Sequence, residues 1–225
     1  SGLPAYKAYF KEIGSGGKDA RKQLRNRLVN EPLIHEPGGE QVYSDLGFMI
    51  LAWVIENICQ ERLDMVFYNR VRNPLSIKSL FYIPIKERQI ILKDHPCTIA
   101  ATRRCPWRNK LVVAEVEDEN AWAAGGVEGH AGLFGTAGAV WQLCVEILHA
   151  VTHCDTALPA EVIRRMVQRT ERQPMVAGFD TPSKTNSAAG DYFSAGTIGH
   201  LGFTGTSYWI DPETSLIVVF LSNRV

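Results

Sequence analysis

Apolar residues recur at helical spacing through much of this chain and gather into β-like runs most clearly at its end. Leu46, Met49, Ile50, Trp53, Val54 and Ile58 return every three or four positions, which predicts a long helix that Ser44 or Asp45 can cap. The turn signal Glu36-Pro37-Gly38-Gly39-Glu40 before it forbids helix through that stretch. A further helix, about Arg62–Arg72, puts Leu63, Val66, Phe67 and Val71 on one side and stops before Pro74. Upstream, residues 1–27 hold two short amphipathic pieces around the loop Gly14-Ser15-Gly16-Gly17. The second piece, roughly Lys18–Asn30, is basic and reads as a surface helix.

Residues 75–120 read as irregular, with short β-like runs at Leu80–Ile83 and Leu111–Val116. The glycine-rich stretch Gly125–Gly138 leads into helices near Val140–Val151 and Ala160–Arg169, and residues 172–197 have loop or linker composition. At the end, a run of about His200–Ile210, the turn Asp211-Pro212-Glu213-Thr214 and the run Ser215–Asn223 predict an antiparallel hairpin. Helices in the middle and strands at the end predict an α+β fold. A lone hairpin is marginally stable and needs further strands or helices over its apolar face. No internal repeat or low-complexity tract is present.

Composition narrows the function classes. The 225 residues are 45% hydrophobic and 21% charged, which is globular composition. Lysine plus arginine (24) equals aspartate plus glutamate (24), so no net field favours nucleic acid or an anionic membrane as partner. No apolar run approaches membrane-spanning length, and Ser1–Tyr6 has no signal-peptide character. The compartment stays open between bacterial cytoplasm and periplasm. Cys59, Cys97, Cys105, Cys144 and Cys154 form no CxxC pair. Cys59 and Cys144 read as small core residues; Cys97 and Cys105 flank a basic loop and could pair, with free thiols the better reading.

Four places carry candidate chemistry. Tyr43-Ser44-Asp45 stands at a helix entrance, where N–H groups and the dipole favour a phenolate-like base; the plainer alternative is a tyrosine beside an ordinary N-cap. His200-Leu201-Gly202-Phe203-Thr204-Gly205-Thr206-Ser207 sits on what reads as the penultimate strand, with two glycines that suggest close approach by a ligand or by another backbone. His130 lies in the glycine-rich stretch, which lacks a phosphate-loop frame and most simply permits tight packing. His149 and His153 are one helical turn apart, but no Glu completes an H-E-x-x-H motif, so no metal is expected.

Taken in order, these segments resemble a family. Pro37-Gly38 with Tyr43-Ser44-Asp45-Leu46-Gly47-Phe48 resembles the PGxxxxYSNxGY segment of class C β-lactamases and penicillin-binding esterases. Asn73-Pro74-Leu75 is similar to that family's xPLG signature, and Gly125 to Ala137 to its GGxxGHAGLFSTA block. His200-Leu201-Gly202 stands where the family carries a K/H-[ST]-G triad, and Asp211-Pro212 through Asn223-Arg224 resembles the hairpin that follows. Ser1-Gly2-Leu3-Pro4 is similar to the tail of an HTSGLP element.

The resemblance implies one β-lactamase-like domain over residues 1–225, partial, with a helical lobe of about 18–170 packed on a sheet lobe whose hairpin spans about 197–225. It implies acyl-enzyme hydrolysis of a small ester, amide or β-lactam-like substrate, without cofactor, metal or nucleic acid. Tyr43 would be the general base, His200 would hold the proton network, and the Phe203 N–H would form half of an oxyanion hole. Asp45, Leu201 and Gly202 would face the substrate. Asp45 replaces the family's Asn, exchanging a potential donor for an acceptor, and Leu201 replaces a hydroxyl residue. Both changes point to an esterase or peptidase-like enzyme more than an efficient β-lactamase.

The family's nucleophile, the serine of an S-x-x-K motif, finds no counterpart here. Ser15 precedes Lys18 by three but in a glycine-rich loop, Ser76-Ile77-Lys78-Ser79 has the wrong spacing, and Ser183-Lys184 is adjacent. The expectation is a chain trimmed at both ends, inactive as it stands, with apolar sheet surface that favours association. Two competing readings are a non-catalytic binding module of the same fold and, more weakly, a zinc hydrolase using His149 and His153.

Overall fold

The computed structural model describes residues 1–14, 17, 19–39, 41–94, 99–153, 155–169, 175–183 and 185–224. Ser15, Lys18, Cys97, Cys154 and Lys184, all named above, lie outside the described residues. The chain forms two compact units, one of residues 1–70 and 81–134, the other of residues 71–80 and 135–225.

The first unit is built around the Asp45–Cys59 helix. Ser44 caps it: its backbone is extended, its Oγ accepts from Gly47 N (3.3 Å) and donates to Pro4 O (2.7 Å). Leu46 and Met49 enter a core with Leu3, Tyr9, Leu24, Leu28 and Ala124. The expected stripe is broader than the buried one, because Val54 and Ile58 are exposed. The Ala20–Val29 helix is basic as anticipated, but it is not merely a surface helix. It buries Leu24 and Leu28 on one face and, beside them, Arg25. Arg25 Nη1 reaches Glu128 Oε2 at 3.0 Å and Met49 O at 3.1 Å. A buried cation persists only when so partnered.

The β-like run expected at Leu111–Val116 appears as a strand over Lys110–Val113, and its partner strand, Ala101–Cys105, lies where the sequence reads as irregular. Ala101–Cys105 and Lys110–Val113 pair as an antiparallel ribbon. Arg103 in that ribbon bonds Glu117 and, at 2.7 Å, Glu119, so charged side chains mask a strand. The short helix Glu119–Ala123 follows, capped by Asp118, which accepts from Ala121 N at 2.7 Å. The Leu63–Phe67 helix continues into one π turn, Tyr68–Arg72, before Pro74.

In the second unit the Ala137–Thr152 and Ala160–Met166 helices pack with a three-stranded antiparallel sheet. Its strands are Ile198–Gly202, Thr206–Asp211 and Leu216–Phe220, in sequential order. The single run predicted over 200–210 is therefore two strands, and the expected two-stranded hairpin is a three-stranded meander. The break falls at Gly202-Phe203-Thr204-Gly205, where Gly205 N donates to Gly202 O (2.9 Å) and Gly205 takes φ +80°, a left-handed conformation glycine adopts freely. Ile198, Ile210, Ile217 and Val219 share one face against Cys144, Ile147 and Leu148 of the long helix. On the last strand Leu216, Val218 and Phe220 alternate to the other face and are exposed.

Candidate active site

Tyr43 and Asp45 come together at the start of the Asp45–Cys59 helix in the first unit. Tyr43 is 45% exposed, and its ring lies tilted 6.4 Å from that of Phe48 one turn on. The segment Leu3–Lys7 runs alongside: Asp45 N donates to Ala5 O at 3.0 Å. Tyr6 in that segment is held up to about 12 by burial and by the carboxylates of Asp118, Glu119 and Asp45. Sequence reasoning passed over both Tyr6 and Asp118. Asp118 was findable as a helix-capping Asp three residues before Ala121.

His130 belongs to the same unit and is not a loop histidine open to solvent. Its side chain is 2% exposed and its Nε2 lies 2.9 Å from Asp118 Oδ1. Burial alone would lower the imidazole, yet the Asp118 hydrogen bond and charge, with Asp45 and Glu128, hold it above its ordinary value. Burial likewise works to raise Asp118, but His130 and the backbone N–H groups of Ala121 and Asn120 keep it below the usual carboxylate range. The neighbouring glycines serve packing, as expected: a Cβ on Gly129 would collide with Phe48 O.

His200, Leu201, Gly202 and Phe203 come together in the second unit, at the end of the first sheet strand rather than on the penultimate one. His200 stands opposite Tyr208, and its Nδ1 lies 2.6 Å from Leu201 O. It alternates to the face of Ile198, whereas Leu201 points to the other face, 45% exposed. Phe203 is in the turn, 74% exposed. The space beside the strand glycines is taken by the neighbouring strand: a Cβ on Gly202 would strike Thr206 Oγ1, and one on Gly199 would strike Tyr208 O and the Trp209 ring. At both positions the neighbouring strand occupies the place a Cβ would take.

His149 and His153 stack edge to face, 6.0 Å apart, at the end of the long helix. Among the described residues no group of three or more His, Cys, Asp or Glu side chains could hold a metal ion, and no helix is long and apolar enough to cross a membrane.

Comparison with known proteins places these segments. The family model described as Beta-lactamase matches residues 1–225. A curated relative from Salmonella agona (strain SL483), named "Putative D-alanyl-D-alanine carboxypeptidase", is 32% identical over 239 residues, covering 100% of this chain and 55% of that protein. The chain thus spans about half the length of the curated relatives it matches. Among solved structures, EstCE1, "a hydrolase with promiscuous acyltransferase activity", aligns with TM-score 0.64 at 20% identity over 100% of this chain and 63% of that one. A penicillin-binding protein homologue from Caulobacter crescentus aligns with TM-score 0.63 at 14% identity, covering 94% and 64%. The structural likenesses show the α+β fold of β-lactamase-like proteins. The chain belongs to the β-lactamase family.

Proposed function

We propose that the natural protein is a serine acyl-transfer hydrolase that cleaves a small ester or amide, closer to an esterase or a carboxypeptidase than to an efficient β-lactamase. The observation that carries this reading is the family match over residues 1–225, joined by relatives at 32% identity named for D-alanyl-D-alanine carboxypeptidase. In the proposed mechanism a serine attacks the substrate carbonyl and the resulting acyl-enzyme is hydrolysed by water. Tyr43 takes the proton from the attacking hydroxyl and returns it to the leaving group. His200 orients that proton network. The backbone N–H of Phe203 donates to the oxyanion, together with the N–H of the nucleophile itself. Loss of one such donor typically costs about 3–4 kcal/mol of transition-state stabilisation. Asp45, Leu201 and Gly202 border the substrate, and the acceptor-only Asp45 with the apolar Leu201 disfavours a β-lactam side-chain amide and carboxylate. The one Ser-x-x-Lys spacing among these residues, Ser15 to Lys18, falls in a glycine-rich run of the sequence, so the proposed nucleophile is placed in a part of the natural protein outside them.

Intact mass before and after a fluorophosphonate probe tests this. The natural protein is expected to gain one adduct, and the 225-residue chain of 25.0 kDa none. Tyr43→Phe in the natural protein should slow acylation by roughly 10²–10⁴-fold. A natural protein that takes no label is a binding module, and β-lactam turnover equal to that of efficient β-lactamases would overturn the substrate preference.

A further inference from the structure

Ser44 does more than cap the Asp45–Cys59 helix, because its hydroxyl works in both directions. The oxygen accepts from Gly47 N at 3.3 Å, and the proton is donated to Pro4 O at 2.7 Å. The first bond is an ordinary N-cap, of a kind that serves any helix start. The second is not required by the helix. It joins the residue next to Tyr43 to a stretch of chain 40 positions away.

That stretch is anchored independently of Ser44. Gly2 O accepts from Ile34 N (2.8 Å), and Leu3 is buried in the same core as Leu46 and Met49. Gly2 takes φ +78°, and a Cβ there would collide with His35 O, so the chain passes that turn with no space to spare. Beyond Tyr6, Lys7 O accepts from Asn120 Nδ2 (2.8 Å) and Phe10 N donates to Asn120 Oδ1 (2.9 Å), with Asn120 fully buried. Pro4 O is therefore an acceptor already in place when Ser44 reaches it.

Tyr43 stands immediately before the capping residue, and Phe48 is the fourth residue of the helix. Their rings lie 6.4 Å apart, and an apolar contact between these two positions fixes the angle at which a chain enters its helix. That contact travels with the helix. The bonds of Ser44 to Pro4 O and of Asp45 N to Ala5 O (3.0 Å) reach outside it and hold its entrance against the Gly2–Lys7 segment. Of these two, the Ser44 bond is the one a side chain makes.

We propose that Ser44 is a positioning residue for Tyr43: by donating to Pro4 O it locks the backbone that carries the tyrosine against the Gly2–Lys7 segment. This rests on the reading of Tyr43 as general base. Tyr43 is 45% exposed, so its placement depends on its backbone, and a displaced base gives up part of its catalysis.

The test is the kinetics of fluorophosphonate labelling in the natural protein, read as the maximal rate and the half-saturating probe concentration. Ser44→Gly removes both hydroxyl bonds but leaves a residue that serves well as an N-cap, so the helix loses little. It should lower the maximal rate on the order of tenfold and leave the half-saturating concentration unchanged. Ser44→Thr keeps a hydroxyl for both bonds and should restore the parent rate. In a Tyr43→Phe background Ser44→Gly should cause no further loss, because the group it positions is gone. Thermal unfolding of each variant reads stability separately. An equal loss in both backgrounds assigns Ser44 a purely structural role and overturns the proposal. So does a parent-like rate in Ser44→Gly, or no recovery in Ser44→Thr. Tyr43→Phe labelled as fast as the parent, or a natural protein that takes no label, overturns the general-base reading and this role together. Slow labelling in Tyr43→Phe with parent-like labelling in Ser44→Gly overturns this role alone.

Discussion

The first unit buries Arg25, Glu128, Asn120 and Glu117 among its apolar side chains, whereas the second packs isoleucines, Val176 and Phe179 against a long helix and, among the described residues, keeps one buried carboxylate, Asp211, at the end of its middle strand. The polar groups of the first unit come from far apart in sequence: Arg25 meets Glu128 across 103 positions, and Phe10 meets Asn120 across 110. Asp211 is satisfied close to home, by Ser194 and by the N–H groups of Glu213 and Thr214. An apolar core tolerates approximate partners, since any side chain of suitable volume returns most of the burial energy. A charged one does not, because removing one partner leaves an uncompensated buried charge. The difference places specificity in the unit that holds Tyr43 and plain cohesion in the unit that holds His200.

The largest effect should come from breaking the charged core on one side. Glu128→Ala takes from the buried Arg25 its 3.0 Å carboxylate, leaving the longer Glu56 contact at 3.7 Å, and is expected to cost about 3–5 kcal/mol in denaturant unfolding. Replacing both residues, Arg25→Met with Glu128→Leu, should cost far less; if it costs as much, the contrast drawn here fails. In the second unit Ile210→Ala removes a fully buried side chain between sheet and helix, with an expected loss of about 3 kcal/mol by the same measurement. A loss below half of that would mean this core is looser than its burial implies. The smallest effect belongs to Asp211→Asn, about 2 kcal/mol at neutral pH, since hydrogen bonds to a charged acceptor are lost or weakened. Burial works to raise the Asp211 carboxyl, but the hydrogen bonds from Ser194 and Thr214 bring it down from 3.8 to about 2. A depressed carboxyl stabilises the folded state fully above its unfolded value and loses that contribution as pH falls through the folded one. Stability should therefore decline between about pH 4 and pH 2 in the parent chain. Asp211→Asn should flatten that segment, and an unchanged slope would remove Asp211 as its source.

Local signals made parts of this molecule legible from the chain alone. Ser44 announces its helix because capping is a contact between residues three apart, and the apolar spacing from Leu46 onward carries the rest. The terminal sheet announces itself by apolar runs, but its strand count does not. Gly202-Phe203-Thr204-Gly205 reads as continuous strand unless the turn potential of its two glycines is weighed above the apolar Phe203. The Ala101–Cys105 strand is hidden because Thr102, Arg103 and Arg104 lack strand-like alternation, and Arg103 finds carboxylates beyond its own strand. Arg25 looks like a surface residue because its partner is more than a hundred positions away. The candidate site divides the same way. Tyr43 and His200 stand out through motif resemblance and Asp118 carries a local capping signal, while Tyr6 belongs to no motif and becomes visible only when folding brings its segment beside Asp45.

The contact between Arg25 and Glu128 also sets an order of events. The three sheet strands close through successive turns and ask little of chain entropy, so that meander can form as soon as its residues exist. The helix Ala20–Val29 is synthesised before Glu128 and cannot bury Arg25 against it until that residue has followed, more than a hundred residues later. Through that interval a cation sits on the inner face of a helix and holds the apolar side chains beside it open to water. A helix made more than a hundred residues before Glu128 is thereby among the last parts of its unit to become native.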